Sequence, residues 1–256
     1  MTEYPKVKFT DIPLAAEVDL LHDFLFKNKW GWGKYIIKKH PKIKKIFSLK
    51  NEQEQVNFLK RYIAGFKKAN LETIEKNKKR YKNGWRKIEN DFLEILSEIM
   101  EIDWPKNRKT IKAMVSINPI CPRFLNNWTF SIFCSYKKIS NAMEVIMHDC
   151  CHFLYFEKWR KLYPKMDCKK FESPYIEWHL SEILAPIILN DPKIQKILRK
   201  KAAFYKEYQD LIIHQKKVPK YFELLYKEYR NKKYTFGAFL KKAYREIKKN
   251  EKVFLK

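Results

Sequence analysis

The stretch Ala142–Trp159, AMEVIMHDCCHFLYFEKW, sets His148 and His152 four residues apart, with Asp149 directly after the first histidine. On a helix, residues four apart differ by about 40° in direction and about 6 Å along the axis, so both imidazoles can face one ion. Asn141 stands where a cap residue would, and Glu144, three residues later, can return its hydrogen bond in capping-box fashion. Glu144 is therefore assigned a structural job. Two histidines do not complete a catalytic zinc site, which usually takes three protein ligands and keeps one position for water. The third ligand must come from another element.

Downstream, Ser173-Pro174 followed by YIEWHLSEILAPIIL reads as a second helix, with a cap residue and then proline at the first helical position. It offers Glu177, His179 and Glu182, and Glu182 is the residue chosen here as third ligand. Pro186 has no amide hydrogen for the Glu182 carbonyl, which loosens the helix at that point. Upstream, Thr110–Ile117 and Trp128–Tyr136 read as strands, the second alternating apolar and polar residues except at Phe133. The NPICPRFLNN segment between them has the prolines and asparagines of a loop.

The rest of the chain is helical in pattern. Helices are expected over 13–29 and 34–46, separated by a turn at Trp30-Gly31-Trp32-Gly33. Another helical stretch runs over 51–103 with an interruption at Asn83-Gly84, and others over 192–215, 217–230 and 236–253. The expected class is α+β, predominantly helical. Residues 1–107 would form an N-terminal helical region, and 108–256 would hold a small antiparallel sheet, the metal-binding helices and the C-terminal helices.

Strands followed by a helix with H-x-x-x-H spacing and a further helix bearing a glutamate resemble the zincin metallopeptidases, nearest to the gluzincin type. The resemblance covers roughly residues 108–190. It implies a zinc-dependent hydrolase cleaving peptide bonds, with His148, His152 and Glu182 as zinc ligands and Asp149 at the general-base position. His179 would be a neighbouring or alternative ligand. The family has glutamate where this chain has Asp149, whose carboxylate sits about 1.5 Å nearer the backbone. Misplacement by about 1 Å can cost on the order of a hundredfold in rate, so activity is expected to be weakened while metal binding survives. His214, with Tyr175 behind it, is the candidate for stabilising the transition state.

HDCCH also resembles the core of HD-type metal-dependent phosphohydrolases. That family needs a nearby upstream histidine, and none lies between His40 and His148. A third reading is a non-catalytic, basic helical module binding nucleic acid. The net charge of +26 invites it, yet only nine of the 55 basic residues are arginine and the lysines are spread over almost every segment. A solvated surface with non-specific affinity for polyanions is the expectation, beside a peptide or protein substrate. Five cysteines, Cys150 and Cys151 adjacent, make no disulfide framework. With no signal-like N-terminus and no apolar run near 20 residues, a cytoplasmic protein without a membrane partner is expected.

Overall fold

The computed structural model describes residues 4–27, 31–231 and 234–255. In chain order it contains β1 (Lys6–Asp11), α1 (Leu14–Phe26), α2 (Trp32–Lys39), a 3-10 helix (Pro41–Ser48), α3 (Glu52–Ala69), α4 (Leu71–Arg86) and α5 (Glu89–Met100). Then come β2 (Thr110–Ser116), β3 (Arg123–Phe124), β4 (Thr129–Phe133), α6 (Ile139–Leu162), a short 3-10 turn (Cys168–Phe171), α7 (Ile176–Leu189), α8 (Pro192–Leu198) and α9 (Lys206–Gln209). The chain ends with β5 (Ile212–Ile213), β6 (Lys216–Lys217), α10 (Val218–Arg230), α11 (Phe236–Lys249) and α12 (Glu251–Phe254). The class is α+β with helix predominating. Among the described residues, no helix is long and apolar enough to cross a membrane.

Two compact units interleave along the sequence: Pro5–Lys87 with Arg108–Ile146, and Met1–Tyr4 with Ile88–Asn107 and Met147–Lys256. Residues 108–146 thus group with the N-terminal helices, and the expected division at residue 107 does not coincide with these units.

In the first unit the sheet order is β1-β2-β4-β3. β2 pairs in parallel with both β1 and β4, and only β3 is antiparallel, against β4. This corrects the expected antiparallel sheet. The reason lies in the connecting segment: β3 reverses the chain, and β4 then returns between β3 and β2, running the same way as β2. All five residues of β4 are buried. A strand covered on both faces needs no polar side, so Phe133 is no exception to its pattern. β1, which sequence patterning did not single out, is a mostly exposed edge strand carrying Lys6 and Lys8.

Behind the sheet, buried Glu17 accepts from Ser116 Oγ at 2.8 Å and the Ile117 amide at 2.7 Å, and pairs with Lys67 Nζ at 2.5 Å. Those contacts tie α1 and α3 to the end of β2. The helix expected over 34–46 is broken at His40, whose φ of −130° is non-helical because Pro41 follows. No interruption occurs at Asn83-Gly84; α4 runs to Arg86. A Cβ on Gly84 would lie 3.3 Å from Ile139, so this glycine serves close packing instead of a turn. In the Trp30–Gly33 turn, Gly31 takes a φ of 70° ahead of α2, Trp32 and Gly33 belong to the helix, and Trp30 lies outside the described residues.

The second unit is organised around α7, whose 14 residues are all buried, with α10, α11 and α12 packed against it. α6 begins at Ile139, so Asn141 sits inside its first turn and does not cap it. α7 starts at Ile176 with Tyr175 in the cap position, two residues beyond Pro174. The helix expected over 192–215 is replaced by α8, α9 and the β5–β6 hairpin. His214 and Gln215 form its turn with φ of 47° and 58°. A two-residue turn with both φ positive is normally announced by Asn-Gly or Asp-Gly, a signal His-Gln does not carry.

Candidate metal centre

α6 between Met147 and Phe156 and the whole of α7 are buried almost throughout, His148 alone being partly exposed. Polar side chains on such helices must find partners inside the protein. On α7, Ser181 Oγ donates to the Trp178 carbonyl at 2.8 Å, and Glu177 accepts from the Tyr244 hydroxyl at 2.6 Å. His179 Nδ1 meets the Tyr208 hydroxyl at 2.9 Å. Burial pushes His179 down to about 4, against the opposing effects of the Glu182 charge and a bond to the Pro174 backbone.

Glu182 turns instead toward α6. Its Oε2 lies 3.2 Å from His148 Nε2 and its Oε1 3.4 Å from His152 Nε2, while the two Nε2 atoms are 2.8 Å apart. Among the described residues, these three are the group of histidine, cysteine and acidic side chains whose donor atoms are close enough to share an ion. With metal–ligand bonds of 2.0–2.2 Å, the edge of a tetrahedral zinc site is about 3.3–3.5 Å. The two histidine–carboxylate distances, each to a different Glu182 oxygen, are close to that length. The 2.8 Å edge is the distance at which one ring N–H donates to the other ring's lone pair, and a cation would stand in for that proton.

Exposure of the three is uneven. The His152 and Glu182 side chains are 1% and 3% accessible, whereas that of His148 is 23% accessible. The cluster is walled by protein behind and reachable from the His148 side.

The remaining candidates are not members of this triad. Asp149 is buried and is not a member of the three-donor group. On a helix it points about 80° away from the direction midway between His148 and His152, so any contribution comes from its flank. His179 is held by Tyr208 rather than joining as a ligand. His214 is exposed at its hairpin turn and bonds Glu246 Oε2 at 2.9 Å. Tyr175 is exposed at the start of α7. Cys150 and Cys151 are fully buried free thiols; burial first, then Asp149 and Glu89 at Cys150 and Glu182 and Asp149 at Cys151, push each up. Neither belongs to the three-donor group, and both fill the interior as packing residues. Sequence patterning passed over the Tyr208 and Tyr244 hydroxyls, whose role in anchoring α7 depends on contacts far apart in the chain.

No protein-family model, curated protein or solved structure matches the chain.

Proposed function

We propose that the chain is a zinc-dependent hydrolase of the metallopeptidase kind, in which His148, His152 and Glu182 hold the ion and Asp149 is the general base. The observation that carries this reading is the convergence of two imidazole Nε2 atoms and one carboxylate, 2.8–3.4 Å apart, on α6 and α7. Three protein ligands with an accessible edge at His148 suit a catalytic site better than a closed structural one. Bound there, zinc supplies a water ionised near neutral pH and Lewis acidity toward a carbonyl.

The chain's own residues divide the remaining tasks. His148 and His152 present neutral nitrogens, which requires their remaining ring protons to sit on Nδ1. Glu182 supplies the negative charge. Asp149 takes a proton from the attacking water and passes it to the leaving amine, with the shorter reach of aspartate holding the rate down. An HD-type phosphohydrolase would join His148 and Asp149 on one ion; the observed triad favours the zincin arrangement over that pairing. The five free cysteines support a reducing, cytoplasmic setting.

The test is metal content with peptide hydrolysis. Protein purified without chelator is expected to hold about one zinc per chain, lost in His148→Ala and Glu182→Ala and retained in Glu177→Gln. Failure of the native chain to take up zinc on titration sinks the reading. Asp149→Glu, which extends the carboxylate by one methylene, is expected to raise hydrolysis of an unstructured peptide by up to about a hundredfold with zinc content unchanged. No hydrolysis by either form removes the peptidase claim alone.

A further inference from the structure

A separate feature stands on the unit formed by Pro5–Lys87 and Arg108–Ile146. From Lys34 to Lys50 the chain contains seven lysines and no aspartate or glutamate. All seven side chains are exposed. Among the described residues none of them forms an ion pair, unlike Lys67 with Glu17 or Lys78 with Asp11 and Glu75 in the same unit.

The local structure explains how so much like charge is displayed together. In a 3-10 helix, side chains three apart eclipse one another. Over Pro41–Ser48 this stacks Ile43 and Ile46 into a buried line, sets Lys42 over Lys45 in a second, and Lys44 over Phe47 in a third. α2 likewise buries Ile36 and leaves Tyr35 and its lysines outside. Three aromatic rings are unusually open: Phe26 at 39%, Tyr35 at 45% and Phe47 at 49%. Phe26 and Phe47 pack with ring centres 5.3 Å apart, and Lys39 Nζ lies 5.8 Å from the centre of the Tyr35 ring.

We propose that this surface, formed by α2, the 3-10 helix and Phe26, binds single-stranded nucleic acid. Uncompensated lysines draw phosphates by releasing counterions. Open rings beside them offer bases a stacking platform that tolerates any sequence. Lysine without arginine gives point charges and no bidentate base reading, which fits a sequence-tolerant strand binder. An anionic membrane is the less suited partner, because an interfacial helix needs a continuous free apolar face. Here Ile36, Ile43 and Ile46 are already committed to the interior.

The test is fluorescence anisotropy of the full chain with labelled oligo(dT) and oligo(rU) of about 20 nucleotides across a salt series. Lys42→Glu/Lys44→Glu/Lys45→Glu is expected to weaken binding about tenfold or more. It should also lower the slope of log affinity against log salt by about 2, since each single-strand phosphate contact contributes about 0.7. The equal charge change Lys165→Glu/Lys169→Glu/Lys170→Glu should weaken binding by less than about twofold. Phe47→Ala, at an exposed position that keeps the fold, should cost about fivefold or more through lost stacking. Equal losses from the two triple variants, no oligonucleotide binding, or an unaffected Phe47→Ala would each overturn the proposal. So would binding to phosphatidylserine vesicles that the first triple variant abolishes while its oligonucleotide binding persists.

Discussion

His40 and the His148–His152 pair are two histidine environments, one in each unit, and their ring nitrogens meet very different neighbours. His40 Nε2 lies 2.8 Å from the Ile117 carbonyl and must donate to it, while Nδ1, 3.0 Å from the Tyr62 hydroxyl, accepts. Tyr62 and Phe66 present edges to the ring, and burial pushes its pKa down. One proton and one lone pair are both spent, so this imidazole is a neutral strut. At His148 and His152 the same two Nε2 atoms face each other and a carboxylate. Only one proton fits between the two nitrogens, and the carboxylate adds negative charge beside them. A divalent cation would satisfy all three donors at once. A histidine's role is thus decided less by burial than by whether its partners have complementary hydrogen-bonding roles or compete for the same proton.

The largest effect that sharpens this contrast is metal linkage. With free zinc about a thousandfold above its dissociation constant, the native chain should gain about 4 kcal/mol over the chelated form, read as a rise in Tm. Glu182→Ala should lose that gain; a zinc-dependent rise surviving in that variant would break the assignment. Next comes His40→Ala, which leaves the Tyr62 hydroxyl and the Ile117 carbonyl without their partner. Urea denaturation should show a loss of about 3 kcal/mol with zinc content unchanged. Loss of zinc there would erase the distinction between the two environments.

The pH dependence follows in size. His179 titrates near 4 in the folded protein against an ordinary value of 6.5. The unfolded chain takes up the proton first as pH falls, so the contribution is whole above about 6.5 and drains away toward pH 4, at most about 3 kcal/mol. His40, lowered for the same reason, adds a loss of the same sign. His179→Phe, measured in metal-free protein, should flatten that slope; an unchanged slope would refute the assignment. Smallest is His214→Ala, which removes an exposed ion pair with Glu246 and should shift stability by less than about 0.5 kcal/mol without altering metal content.

What could be read from the chain alone was local. Four-residue spacing places two histidines on one helical face wherever the helix lies, so the His148–His152 pair was visible without a fold. A 3.6-residue period likewise marked most helices, and TIKAMVSI and the alternating WTFSIFCSY read as two strands. Pairing those strands in parallel was not visible, because it depends on β3 reversing the chain within a segment that looks like loop. The β5–β6 hairpin was hidden because His214 and Gln215 are not the residues that usually adopt positive φ. Near the site, Glu182 was picked out in the sequence, but the reason Glu177 stays out is tertiary: Tyr244 on α11 takes Glu177, and α6 faces Glu182. Tyr208 removes His179 in the same way. Residue types and short spacings determine which groups can do chemistry, because backbone geometry acts over a few residues. Which of them meet is decided by packing between distant segments, because a buried carboxylate or imidazole must settle wherever the fold supplies its counterpart.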